Sequence, residues 1–234
     1  MTSPERVAFH FDPLCPWAWV TSRWATRLEE LGELQVTWRL FSLGVANLPE
    51  GEPVPDEPVG TGAAALTLLA QARRVGGNSA VARLYYTLGT AAHVRTEKLA
   101  DPSVLERAWA EAGLGLHHSA RESAAGDPTL WQDVMSDHRS AVAACEAFGV
   151  PTLILDGGRG PGIFGPVITE VPDDEESRAL LQDVLRMVRR SYLFELKRDR
   201  EGHPPGTGVR AGRRQHGIGF FRAQDGPPEL PPRP

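Results

Sequence analysis

The segment FDPLCPWAWV, Phe11 to Val20, sets Cys15 between Asp12-Pro13-Leu14 and Pro16-Trp17. Read as a C-x-x-x unit, its fourth position is Ala18, where a dithiol redox motif would carry a second cysteine. The chain holds two cysteines, Cys15 and Cys145, too few for a disulfide framework. Cys145 lies in the helical run AVAACEAFG and reads as core packing, not as a resolving thiol. The chemistry to expect from this segment is therefore that of one sulfur. A mixed disulfide on Cys15 would wait for an external thiol, since exchange needs only a thiolate and an accessible sulfur.

Position argues for a reactive thiol. RVAFHF (Arg6 to Phe11) is a short β-rich run, and Pro16 to Gly32 follows a helical pattern with proline at its start and glycine at its end. Cys15 then stands at a strand end and a helix N-terminus. Open N–H groups and the helix dipole favour an anion there, so the thiol is expected to have a lowered pKa. Pro16 fits the first turn, where its missing N–H costs nothing. Trp17 and Trp19 fall on different helix faces, one expected at the site mouth and one in the core. Asp12, one turn ahead, is expected to cap the helix; as a nearby carboxylate it would raise the thiol.

A second element is Val150-Pro151-Thr152. A proline opening a buried strand is normally a liability. It makes sense if the Val150-Pro151 bond is cis and the Val150 backbone is left to pair with an extended ligand beside Cys15.

Other residues with chemical potential are weaker. His117-His118 and His138 fall in a helical block, and adjacent histidines point to different sides of a helix, so no metal site is expected. GGRGPG lacks a following helix and is a turn, not a phosphate loop.

The elements that must position Cys15 follow from the patterning. LQVTWRLFSL (Leu34 to Leu43) alternates and completes a βαβ unit with a parallel pair. A Pro/Gly/acid loop follows at Pro49 to Gly62. From Ala63 to about Ala143 every strong pattern is helical, with AAALTLLAQARRVG and SAVARLYYTLGTAAHV as separate helices. Val150 to Gly157 and Gly162 to Thr169 read as two strands, and DDEESRALLQDVLRMVRRSY as a final helix with acids first and arginines last. The order is βαβ, helical block, ββα. The fold class is α/β: a thioredoxin-like sheet with an inserted all-helical subdomain. The expected division is residues 1–44 and 139–196 for the two sheet halves, 45–138 for the helical lid, and 197–234 for a Gly/Pro/Arg-rich disordered tail, where Phe220 and Phe221 could dock.

Composition excludes several classes. A net charge of −5 gives no footprint for nucleic acid. No apolar run has the length of a membrane span, and the N-terminus lacks a secretory signal, so a cytoplasmic protein is expected.

FDPLCPWAWVTSRW (Phe11 to Trp24) resembles the actinobacterial mycothiol-dependent nitroreductase family, in the DsbA-like branch of the thioredoxin superfamily. Further matches are YTLGTAAH (Tyr86 to His93), GVPTL (Gly149 to Leu153), FGPV (Phe164 to Val167) and SYLFELKR (Ser191 to Arg198). The resemblance implies a cytosolic reductase with Cys15 as nucleophile, Pro151 as cis-proline and His93 on the lid. Pro16, Trp17, Ala18, Val150 and Thr152 would complete the thiol and substrate site. Mycothiol or another low-molecular-weight thiol would be co-substrate, with no tightly bound cofactor. The second partner would be a small electrophilic or disulfide substrate, and relatives are monomers or homodimers. Family members read C-P-W-C, and Ala18 departs from this. Two alternatives stay open: a kappa-class-like transferase or isomerase that binds a thiol without redox cycling, and a non-catalytic binding module with a vestigial site.

Overall fold

The computed structural model describes residues 3–115 and 127–197. His117, His118, Phe220, Phe221 and the tail beyond Lys197 lie outside the described residues. Strand β1 (Glu5–Phe11) leads into helix α1 (Pro16–Glu30) and strand β2 (Leu34–Leu40). Helices α2 (Leu43–Ala46), α3 (Ala63–Gly89), α4 (Pro102–Glu111) and α5 (Pro128–Cys145) follow. Strands β3 (Thr152–Ile154) and β4 (Gly162–Phe164) and helix α6 (Asp174–Val188) close the chain. The sheet order is β2-β1-β3-β4, with β1 and β2 parallel and the other pairs antiparallel. This is the expected α/β thioredoxin-like arrangement with a helical insert between β2 and β3.

Three helices start as the sequence dictates. Asp101, Asp127 and Asp173 each accept a backbone N–H from their first turn, and prolines follow the first two. Helix α3 contains a break at Gly76 and Gly77, where Gly77 has φ 65° and ψ −155°. That conformation needs glycine, and it divides the span into the two helical arms expected. Strand ends are shorter than the patterning predicts. β2 stops at Leu40 because Ser42 caps the next turn, its side chain accepting from Val45 N. The third and fourth strands are cut to three residues each by the cis Val150-Pro151 and Gly165-Pro166 bonds and by left-handed Asp156 and Gly157.

The insert is fastened to the sheet through the open edge of β2. Val36 N donates to Glu29, Trp38 N to Asn78, and Leu40 N to Asp137, while Asn78 Nδ2 donates back to the Val36 carbonyl. Asn78 comes from α3 and Asp137 from α5, so insert side chains substitute for a missing neighbouring strand. This blunts an edge that would otherwise template aggregation. On one side of β1, Phe9 and Phe11 meet Trp38 and Tyr85. On the other, His10 faces Ser140 of α5 at 3.3 Å. Trp24 of α1 donates its Nε1–H to the Ser177 carbonyl of α6. Among the described residues, no helix is long and apolar enough to cross a membrane.

Candidate active site

Cys15 is the N-cap of α1. A proline at the first helical position leaves the residue before it as the cap, and the sulfur fills that role: Ala18 N donates to Sγ at 3.4 Å. The thiol in turn donates to the Val150 carbonyl at 3.3 Å, across 135 positions of sequence. Val150 precedes a cis proline, Pro151, whose own carbonyl accepts from Gly165 N at 2.7 Å. Thr152 is buried and turns its hydroxyl to the Gly149 carbonyl at 2.8 Å. Cys15, Ala18, Val150, Pro151 and Thr152 therefore form one buried cluster, and Pro16 and Trp17 are half-buried at its margin. Cys15 itself is only 7% exposed. Neither cysteine is in a disulfide. Cys145 packs against Gly162, and burial pushes its thiol up.

Asp12 does not cap α1, which corrects the expectation. Its Oδ1 accepts from Leu14 N and its Oδ2 from Leu43 N, both at 2.9 Å. It ties the cysteine loop to the start of α2. Burial pushes its carboxyl up to about 6, and the two amide donors only partly oppose this.

His93 sits in a π-helical turn, Thr90–Val94, that ends the α3 arm. Its Nε2 lies 2.9 Å from the Pro13 carbonyl. A carbonyl only accepts, so Nε2 carries the hydrogen and Nδ1 is the bare nitrogen. Burial pushes its pKa down, which favours the neutral ring. His93 thus grips the loop two residues ahead of the sulfur.

Two further residues of the YTLGTAAH run, Tyr86 and Gly89, pack on the cysteine helix. Trp19 lies against Gly89 so closely that a β-carbon there would sit 2.1 Å from the indole Cε3. Tyr86 and His93 stand around the same indole at 5.9 and 6.0 Å between centroids. Thr87 donates to the Ala108 carbonyl and joins α3 to α4. Tyr85 stacks on Phe11 at 3.8 Å. Its hydroxyl lies beside Ser22 without a well-formed hydrogen bond, and burial drives its pKa upward. Tyr85, Gly89 and Arg23 were not singled out by sequence reasoning. For Arg23 the sequence signal is the spacing of four that puts positions 15, 19 and 23 on one face of α1; Gly89 lies within the YTLGTAAH run, and Tyr85 immediately precedes it.

A sulfur capping the helix that follows the first strand, across from the residue before a cis proline, in a sheet of this order with a helical insert, defines a DsbA-like thioredoxin-fold protein. Residues 14–198 match the family model described as Rv2466c-like, mycothiol-dependent nitroreductase Rv2466c, and the chain belongs to that family. It is 34% identical over 192 residues to "Uncharacterized protein Rv2286c" of Mycobacterium tuberculosis, covering 82% of this chain and 81% of that one. Among solved structures it is similar to the cytosolic disulfide reductase DsbM from Pseudomonas aeruginosa, solved also with GSH. That match has 22% identity, TM-score 0.52, and covers 77% of this chain and 98% or 99% of that one. It is also similar to the probable DsbA oxidoreductase SCO1869 from Streptomyces coelicolor, at 20% identity and TM-score 0.53, covering 88% and 99%.

Proposed function

We propose that this chain is a thiol-dependent reductase with Cys15 as its single nucleophile and mycothiol as its electron donor, working in the cytoplasm with residues 45–138 as a lid. The observation that carries this reading is the placement of the Cys15 sulfur between the Ala18 amide and the Val150 carbonyl. The amide stabilises a thiolate. The carbonyl holds the protonated form until a substrate backbone or thiol displaces it. The family match supports mycothiol as the donor, and the DsbM structure with GSH is a neighbour of like fold that holds a small thiol.

In the cycle, the Cys15 thiolate attacks an acceptor disulfide, forming a Cys15–S–S bond and releasing one acceptor thiolate. One mycothiol thiolate attacks the Cys15 sulfur, releasing the second acceptor thiolate and leaving a Cys15–mycothiol disulfide. A second attacks the mycothiol sulfur of that disulfide and returns Cys15 as thiolate. The net change is one acceptor disulfide plus two mycothiols giving two acceptor thiols plus one mycothiol disulfide. Electrons and protons balance without a second protein thiol. Trp17 and the Val150-Pro151-Thr152 backbone would bound the substrate, and His93 would hold the loop that carries the sulfur.

The test is intact mass after incubation with oxidised mycothiol, on the wild type and on Cys15→Ser. One adduct that needs Cys15, and that reduced thiol removes, is the expected result. Ala18 favours one competing reading, a transferase or isomerase that binds thiol without covalent exchange. Stoichiometric thiol binding with no adduct would select it and reject the redox cycle.

A further inference from the structure

We propose that Arg23 is an anion-recognising contact of the thiol site, taking the carboxylate of a small acceptor whose reactive centre meets Cys15. The proposal builds on Cys15 as the reacting group, and it begins from a cation with no ion pair among the described residues: Glu30, the acid whose charge favours it, is paired with Arg27. Arg23 is half-buried on α1. Its guanidinium lies 4.3 Å from the Trp19 ring centroid and 5.1 Å from that of Tyr86. Its Nε and one NH2 donor both go to Ser22 Oγ, at 3.2 and 3.1 Å. No carboxylate of the described residues is in ion-pair range. One turn further along, Arg27 takes both Asp174 and Glu30, the acids within reach of this face. A guanidinium has five N–H donors in a planar fork, and the NH1 pair of Arg23 donates to no described residue. Removing a cation from water against aromatic rings without a carboxylate is costly, and burial does push its pKa down.

Direction places this cation at the site. Cys15, Trp19 and Arg23 follow one another at steps of four residues on one helix face. Long side chains on a helix lean toward its N-terminus, and the guanidinium lies over Trp19, the residue four back. The charge is therefore held at the level of Trp19, about 6 Å along the axis from the level of Cys15. That span suits a small molecule that puts a carboxylate on Arg23 and a sulfur or electrophile at Cys15. The aromatic rings and Ser22 hold the guanidinium in place, which leaves the NH1 donors of its fork for a carboxylate. Tyr86, 53% exposed beside it, offers a ring face to an aromatic acceptor.

A purely structural Arg23 would use its stem to cover Trp19. Arg23→Met keeps much of that cover and removes the charge. The first measurement is a titration in the Cys15→Ser background, so that no covalent step contributes. The probes are dithiobis(nitrobenzoate), which carries carboxylates, and dithiodipyridine, which carries none. We expect Arg23→Met to weaken the carboxylated probe by roughly tenfold or more, as loss of a charge-assisted pair implies, and to leave the uncharged probe unchanged. Equal weakening of both probes, no weakening of either, or no binding of the carboxylated probe before substitution would overturn the proposal. The second measurement is the reaction rate of both probes with the intact thiol. If neither reacts while the Cys15→Ser protein still shows the Arg23-dependent preference, the redox cycle fails and the anion contact stands.

Discussion

Substituting Gly89 with alanine isolates the contact that joins the helical insert to the cysteine helix. A β-carbon at 89 would sit 2.1 Å from Trp19 Cε3 and 2.3 Å from Cζ3, against an ordinary carbon contact of about 3.5–4 Å. The indole cannot rotate freely out of the way. Tyr85 meets it edge-on at 5.9 Å, and Arg23 covers it at 4.3 Å. Either the ring or the α3 arm must move by more than 1 Å. Overpacking of this kind costs about 1–3 kcal/mol. Alanine is better than glycine inside a helix by about 0.5–1 kcal/mol, so the net loss is smaller than the clash alone. A loss of about 1–2 kcal/mol in a chain this size lowers Tm by roughly 2–8 °C. The assay is urea unfolding followed by circular dichroism, with tryptophan fluorescence as a second probe. The control is Trp19→Leu, in which the clash has no ring to act on. In that background Gly89→Ala should become neutral or stabilising by about 0.5–1 kcal/mol. A Gly89→Ala protein as stable as the wild type, or one destabilised equally in both backgrounds, would refute the packing argument.

Three further outcomes follow from the same geometry. Ala18→Cys places a second thiol on the residue whose amide already meets the Cys15 sulfur; after oxidised low-molecular-weight thiol is added, mass spectrometry should find an internal disulfide and no retained adduct, and a stable adduct like that of the wild type would count against it. Burial pushes His10 and His138 down from 6.5 to about 4, so between pH 6.5 and 4 the unfolded chain binds more protons and stability falls with falling pH. His10→Gln should flatten that loss in urea midpoints measured across the window; an unchanged slope would show that His10 is not the group responsible. Asp12 has the opposite sign, because its carboxyl is raised from 3.8 to about 6 and its ionisation progressively penalises the fold as pH rises from 3.8 to 6. Its carboxyl resonance should titrate near pH 6 in the folded protein, and a midpoint at the ordinary value would show that water reaches it.

Much of this fold was legible because local signals and topology agree. The Asp-Pro helix starts, the acidic-to-basic gradient of α6, the β-rich run of β1 and the alternation of β2 each encode their element within a few residues. The position of Cys15 at a strand-to-helix turn follows from the same signals. Contacts set by tertiary approach were not legible. Nothing local reveals that Asn78 and Asp137 would fill the edge of β2, or that Gly89 would accept the face of Trp19. Asp12 was misassigned as a cap because an acid ahead of a helix suggests one. Pro16 at the first helical position makes the adjacent Cys15 the cap, and leaves Asp12 for Leu43 N. His93 was placed on the lid by resemblance, but its partner, the Pro13 carbonyl, is a backbone group that sequence pattern does not mark.

These contacts share a target. His93 holds Pro13, Asp12 holds Leu14 and Leu43, Gly89 receives Trp19, and Val150 meets the sulfur. The short loop from Asp12 to Cys15 is thus held from the insert, from the turn after β2 and from the cis-proline strand. A second cysteine at 18 would need no part of this scaffold, since it would come from α1 itself. The groups that position one sulfur are all present, while position 18 carries only a fully buried methyl group and an amide that points back to Cys15. Alanine at position 18 therefore leaves the contacts around the Cys15 sulfur in place. In the proposed cycle the resolving sulfur would arrive with a small molecule, at the side of Cys15 that the Val150 carbonyl occupies.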